Sequence, residues 1–346
     1  MIDSLLCDLR KFQSDKPKAA FAGYFILASA LLFVLHLIEM QVGIDKRVHV
    51  DSTTYITRGH SECAIVLEQG FKHLPGRAFY CVVDKLGEVN TLILNASLVA
   101  FTSALMTFVV IQSKLTSLAV IATLGLIFAP YRLHLGIHLL KDSFIQFFIC
   151  LSIFWRGGVI WLIPLTLFRP AAAIYYISLF RLRLSAAIVL FSLITVYVVS
   201  PGIFTLAVVM ILNGNNLNFV FQSYDQVPTF QGNGLVGDLA RALLWPFFLI
   251  SGFFIILSPA MLFYPIALTG LFTIFALYLA RNDCNWERVL LVYIGCGIIA
   301  YAAPGFTGYT RYAYPLATIG MVAALVGDRP WSLLEAFGPR RSSGPR

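Results

Sequence analysis

Few residues in this chain have side chains suited to chemistry, and most of those stand at the edges of long apolar runs. Asp51 opens the polar stretch Val50-Asp51-Ser52-Thr53-Thr54-Tyr55, soon after the first such run. A carboxylate held at a bilayer surface can act as a general base. Tyr55 follows one helical turn later, on the same face. The same residues also suit an ordinary helix start, because Asp or Ser side chains accept from orphan backbone N–H groups. Local sequence leaves both readings open.

Further along, His134, His138 and Lys141 are spaced four and three residues apart and share one helical face. That pattern suits a phosphate or metal site. Zinc needs a third or fourth ligand, none is evident nearby, and no metal is assigned. The alternative is an interfacial amphipathic helix with its polar side to water. Asp142-Ser143 opens an apolar run, where Asp142 either caps a helix or works with Lys141. Arg169-Pro170 separates two half-length apolar runs. Proline explains a kink there, but an arginine at that depth calls for a carboxylate or a ligand phosphate. The segment from Pro304 to Pro315 holds Tyr309, Arg311, Tyr312 and Tyr314. Its Gly and Pro residues predict a turn. Its tyrosines fit either an aromatic belt or the wall of a sugar site.

The elements that would position these residues follow from composition. Of 346 residues, 59% are hydrophobic and 12% charged, with mean hydropathy +0.81. Soluble domains carry about 25% charged residues, so the chain reads as an integral membrane protein. The apolar runs are continuous rather than alternating, which predicts an all-α polytopic architecture and argues against a β-barrel. About ten to twelve transmembrane helices are expected from run length. The net charge is +8, but no basic stripe interleaves with aromatics, and nucleic-acid binding is not expected. Membrane lipids are the expected partners of the basic ends.

The first run, Ala20–Met40, follows Arg10, Lys11, Lys16 and Lys18. It is too long for a signal-peptide core and reads as an uncleaved span with a cytoplasmic N-terminus. Residues 41–90 form a long polar segment, expected as an extracytoplasmic loop. Further spans are expected at Thr91–Ile111, Leu115–Ala129, Ser143–Trp155, Val159–Phe168, Ala171–Phe180, Leu184–Val199, Ile203–Leu212, Ala242–Ser258, Ala260–Ala280, Val289–Ala303 and Ala313–Val326. Residues 213–241 make a second polar loop. Residues 1–19 and the basic 328–346 are expected as cytoplasmic tails of one domain spanning 1–346. With each run crossing once, Lys and Arg gather on one side, as the charge rule requires. The other side receives only Arg132, Lys141, Arg169 and Arg311 in its short loops, together with Asp51, Tyr55, Asp142 and Tyr309. Cys63 and Cys81 share the outer segment, where a disulfide is possible, while Cys150 and Cys296 suit the core. No CxxC pair suggests a zinc site.

In order along the chain, Asp51-Ser52-Thr53-Thr54-Tyr55 resembles the D-[ES]-x-x-Y motif of polytopic GT-C glycosyltransferases. Leu140-Lys141-Asp142 resembles the K-D element of O-antigen polymerase-like members, Arg169-Pro170 their R-P turn, and Arg311-Tyr312 with Pro315 the late R-Y-x-x-P. The chain departs from the family at Ser52, where many members carry a second acidic residue, so metal assistance is not implied and no cofactor is expected. The resemblance implies a polyprenyl-phosphate- or polyprenyl-diphosphate-linked sugar donor, a glycan or lipid-linked acceptor and a role in cell-surface polysaccharide synthesis. It implies a bacterial inner-membrane enzyme whose site faces the periplasm or exterior. Asp51 would be the catalytic base. Tyr55, His138, Lys141, Asp142, Arg169, Tyr309, Arg311 and Tyr312 would bind substrate, with inversion at the sugar. The alternative is a transporter or flippase of a lipid-linked glycan.

Overall fold

A computed structural model describes residues 2–44, 50–70, 73–154, 158–169, 234–253, 264–302 and 306–327, with positions 194 and 198 besides. The spans expected at 171–180, 184–199 and 203–212, most of the polar loop 213–241, Pro170 and the tail 328–346 lie outside these residues. Among the described residues the fold is all-helical. Among the described residues three helices are long and apolar enough to cross a membrane: Pro17–Val42, Ala78–Gln112 and the run Ser117–Ile137. Two shorter apolar helices, Asp142–Phe154 and Pro265–Leu279, accompany them. The chain is therefore a helical membrane protein.

Helix α1 (Ile2–Asp15) precedes α2 (Pro17–Val42), which starts on Pro17. Proline costs nothing at that position, since its missing N–H would have no partner in the helix. The expected cytoplasmic tail is thus an ordered helix with a defined job. Arg10 Nε donates to the Ile111 carbonyl at 2.8 Å. Its Nη2 donates to the Ser113 and Leu115 carbonyls at 2.7 and 2.9 Å. Gln13 donates to the Phe108 carbonyl. The Ile111 carbonyl is one that the helix end leaves unsatisfied, and those of Ser113 and Leu115 lie in the turn that follows.

The polar stretch expected as a loop is also helical. It forms α3 (Val50–Gln69) and the first turns of α4 (Ala78–Gln112). A disulfide joins Cys63 to Cys81 across the two helices, and Arg77 Nε pairs with Glu62 at 2.7 Å. Helix α4 bends at Gly87, whose φ of 77° and ψ of 169° suit only glycine. The bend lets one helix serve both the polar segment and the buried span.

Beyond the turn at Ser113, α5 (Ser117–Ile127) is capped by the Thr116 side chain. The span expected to end at Ala129 does end just before it, and Pro130 then begins a new helix, α6 (Pro130–Ile137). The amphipathic reading of this region fails: Arg132, Leu133, Leu135, Gly136 and Ile137 are all buried, so the helix faces protein and not water. A Cβ on Gly136 would stand 2.9 Å from the Val99 side chain, so glycine is what lets α6 close on α4. Helices α7 (Asp142–Phe154) and α8 (Leu162–Phe168), the latter after a short 3-10 turn at Gly158–Trp161, complete the first half.

The second half comprises α9 (Gly234–Ser251), α10 (Tyr264–Leu279), α11 (Trp286–Ala302) and α12 (Phe306–Val326). Helix α12 packs against α7, α9, α10 and α11, and nearly all of it from Tyr309 to Leu325 is buried. It corrects a further expectation. The segment read as a turn is helix from Phe306 onward, and Pro315 lies inside it. Proline there cannot donate to the carbonyl four residues back. That carbonyl belongs to Arg311.

Candidate functional site

The sparse charges of the sequence converge on Arg311, in the second turn of α12. Its Nη1 lies 2.8 Å from Asp51 Oδ2. Its Nε donates to Asp142 Oδ2 at 2.8 Å. Arg169, just past α8, places its Nη1 3.8 Å from the other Asp142 oxygen. The Arg169 guanidinium also lies over the Tyr312 ring, 3.9 Å from its centroid, a cation–π arrangement. Four regions remote in sequence thus meet at one place.

The two carboxylates have different surroundings. The Asp142 side chain has no exposed surface, whereas Asp51 keeps 42% of its own. A buried carboxylate is tolerated only when paired with cations, and Asp142 has two guanidinium neighbours. Its oxygens hold both guanidinium groups in place. Asp51 is the one carboxylate of this cluster open to a reactant. Its place in the first turn of α3 suits negative charge at a helix N-terminus.

Backbone ties hold the start of α3 over this site. Ser52, expected as a cap, instead donates its hydroxyl to the Leu139 carbonyl at 3.1 Å. Asn95 on α4 donates to the His138 and Leu140 carbonyls, both at 2.9 Å. The segment leading to Lys141 and Asp142 is thus fixed from two helices. Burial, and then the nearby Arg169, pull the Lys141 ammonium down to about 8. Lysine at that value is charged near neutrality and responsive to modest changes in pH.

The remaining expected residues lie elsewhere. Tyr55 sits behind the charges, its ring centroid 4.7 Å from that of Phe79 and 5.0 Å from that of Tyr80. Burial pushes its phenol up, so it stays protonated. Tyr309 is wholly buried, 5.3 Å from the Trp245 ring. Arg132 donates to Ser103 Oγ and the Ile127 carbonyl, inside the helix bundle. His138 turns away from the cluster: its Nε2 lies 2.9 Å from Glu39 Oε2. His134 Nδ1 lies 2.7 Å from Glu39 Oε1.

The third donor missing from the local sequence around the two histidines therefore comes from α2. Glu39 was hidden at the end of an apolar run, where a single acid is easily taken for a helix-end charge. Its spacing from Ala28 and Leu32, which share its buried face, is the one signal that pointed inward. Asn95 and Ser52 gave no such signal, since both bond to backbone carbonyls brought near only by folding. No family model, curated protein or solved structure matches the chain.

Proposed function

We propose that the chain is a membrane-embedded glycosyltransferase that uses a polyprenyl-phosphate- or polyprenyl-diphosphate-linked sugar donor. The observation that carries this reading is the gathering of Asp51, Lys141, Asp142, Arg169 and Arg311 around one exposed carboxylate. Three cations stand against two carboxylates, an excess suited to a phosphate. Arginine offers a fork that matches phosphate oxygens. In the reaction, the acceptor hydroxyl oxygen attacks the anomeric carbon and gives its proton to Asp51. The bond from that carbon to the phosphate oxygen breaks, and its electron pair leaves with the phosphate. Arg311, Arg169 and Lys141 stabilise the charge that develops there. The second carboxylate is buried between guanidinium groups, which favours inversion over a covalent intermediate.

The order of motifs, shared with GT-C enzymes of the O-antigen polymerase type, supports the same reading. So does the Cys63–Cys81 disulfide, which suits an oxidising exterior and hence a site on the periplasmic or outer face. The test is transfer from a lipid-linked sugar by purified protein in lipid. Asp51→Asn should abolish product while leaving expression and folding intact. Arg311→Ala should weaken donor binding. Normal product from Asp51→Asn would remove the base, and movement of the lipid-linked substrate across the bilayer without a new glycosidic bond would replace the enzyme with a transporter.

A further inference from the structure

We propose that Glu39, His134 and His138 form a binding site for a divalent transition metal, with zinc as the ion that suits these donors. The site stands apart from the glycosyl-transfer reading and does not depend on it. The three donor atoms lie within 4.8 Å of one another. Each carboxylate oxygen of Glu39 already faces one imidazole nitrogen, at 2.7 and 2.9 Å. Ligand atoms around a tetrahedral zinc with bonds of about 2.0–2.1 Å stand roughly 3.3 Å apart. The two Glu39–imidazole separations must therefore lengthen by only about half an ångström to admit the ion, and no pair of donor atoms starts more than 4.8 Å apart.

The chemistry of the donors decides the class of metal. Two imidazoles and one carboxylate suit zinc and its first-row neighbours, whereas magnesium and calcium take oxygen ligands. Two histidines with one glutamate also form a known three-ligand zinc set that keeps a fourth position for water.

Burial supports the same conclusion. Glu39 is 4% exposed and His138 wholly buried. A carboxylate at the end of an apolar membrane helix needs compensating charge. A divalent ion held between the two imidazoles supplies both charge and bonds. The surroundings are built to hold the donors. Ala28, Leu32, Val99, Ala100, Leu133 and Ile137 form a small apolar cluster from α2, α4 and α6, and the donors sit at its end. Tyr131 stacks on His134, with ring centroids 6.0 Å apart. Asn95 fixes the His138 backbone through its carbonyl. Both contacts hold the two histidines in place. The ion clamps α2 to α6 and fixes the start of the segment that leads to Lys141 and Asp142.

The test uses the full chain, purified with a tag that lacks histidine, stripped with a chelator and titrated with zinc against a chromophoric indicator. Elemental analysis after desalting should find one zinc per chain. Cobalt in its place should give visible bands of a four-coordinate nitrogen and oxygen site, without thiolate charge transfer. Glu39→Gln and His134→Gln should each weaken binding by at least about tenfold, while Cys7→Ser and Cys284→Ser leave it unchanged. Absence of zinc uptake by the wild-type chain overturns the proposal, as do uptake of magnesium or calcium alone, thiolate bands with cobalt, or full affinity in the Glu39 and His134 variants. Should those variants fail to fold, the wild-type stoichiometry and cobalt spectrum decide the matter.

Discussion

Replacing Asp142 with asparagine tests the division of labour between the two carboxylates. Asparagine keeps the shape of the side chain and can still accept from Arg311 Nε, now 2.8 Å away. What it removes is a negative charge with no exposed surface, set between Arg311 and Arg169. Removing one partner of a buried ion pair costs about 3–5 kcal/mol, because the remaining charge stays buried. Asp51→Asn acts on the same guanidinium from a site that is 42% exposed, where solvent screens the pair and the cost is about 0–1 kcal/mol. At about 2 °C per kcal/mol, the first change lowers the midpoint by roughly 6–10 °C and the second by about 2 °C or less. The assay is the fraction of detergent-solubilised protein that stays monodisperse after heating, compared at one heating rate because membrane proteins unfold irreversibly. Arg311→Met added to Asp142→Asn should cost less than the sum of the two changes, with a coupling of about 1–3 kcal/mol. Equal losses for Asp142→Asn and Asp51→Asn, or no loss for the former, would refute the view that Asp142 organises the arginines.

Lys141 gives two pH dependences of opposite sign. Its ammonium is lowered from 10.5 to about 8, so donor binding and transfer should decline as pH rises through about 8, and Lys141→Arg should remove that decline. Between those two values the unfolded chain holds a proton that the folded chain has released, so stability should rise with pH there. Gly136→Ala brings a Cβ within 2.9 Å of Val99 and should cost about 1–3 kcal/mol in thermal denaturation; Val99→Ala in the same chain should recover part of it. Gly87→Ala should cost about 1–3 kcal/mol, since its φ of 77° is open only to glycine. Replacing Cys63 and Cys81 by serine opens a link across 18 residues and should lower stability by about 2–4 kcal/mol; an unchanged midpoint would show that the bridge is not formed.

Much of the charge cluster was legible because charge is rare in this chain. An Asp, Lys or Arg at the edge of an apolar run has few explanations, and the charge rule then sorts the residues by side. Asp51, Lys141, Asp142, Arg169 and Arg311 were found on that basis. The difference in burial between the two aspartates was not legible: Asp142 stood open as a cap or a partner of Lys141, and Asp51 as a base or a helix start, while only the fold shows one enclosed and the other 42% exposed. The helical character of residues 50–69 was obscured by polar composition, which marks solvent contact rather than lack of structure. Tyr309 and His138 carried the right chemistry for a sugar or phosphate site, yet tertiary packing turned one toward Trp245 and the other toward Glu39. Glu39 could not be paired with histidines about a hundred residues away by any local pattern.

Arg10 ties these considerations to the order in which the chain is made. Its three carbonyl partners lie 101 to 105 residues downstream. During synthesis the N-terminal helix has nothing to dock on until the turn after α4 has emerged and returned to the same side of the bilayer. A positive charge ahead of a first span is the kind that biases insertion, and here the same side chain is a latch on the end of α4 and the turn after it. A chain in which only one of the two intervening helices crossed would leave Arg10 and the carbonyls it serves on opposite sides of the membrane, and so would be unable to complete its fold.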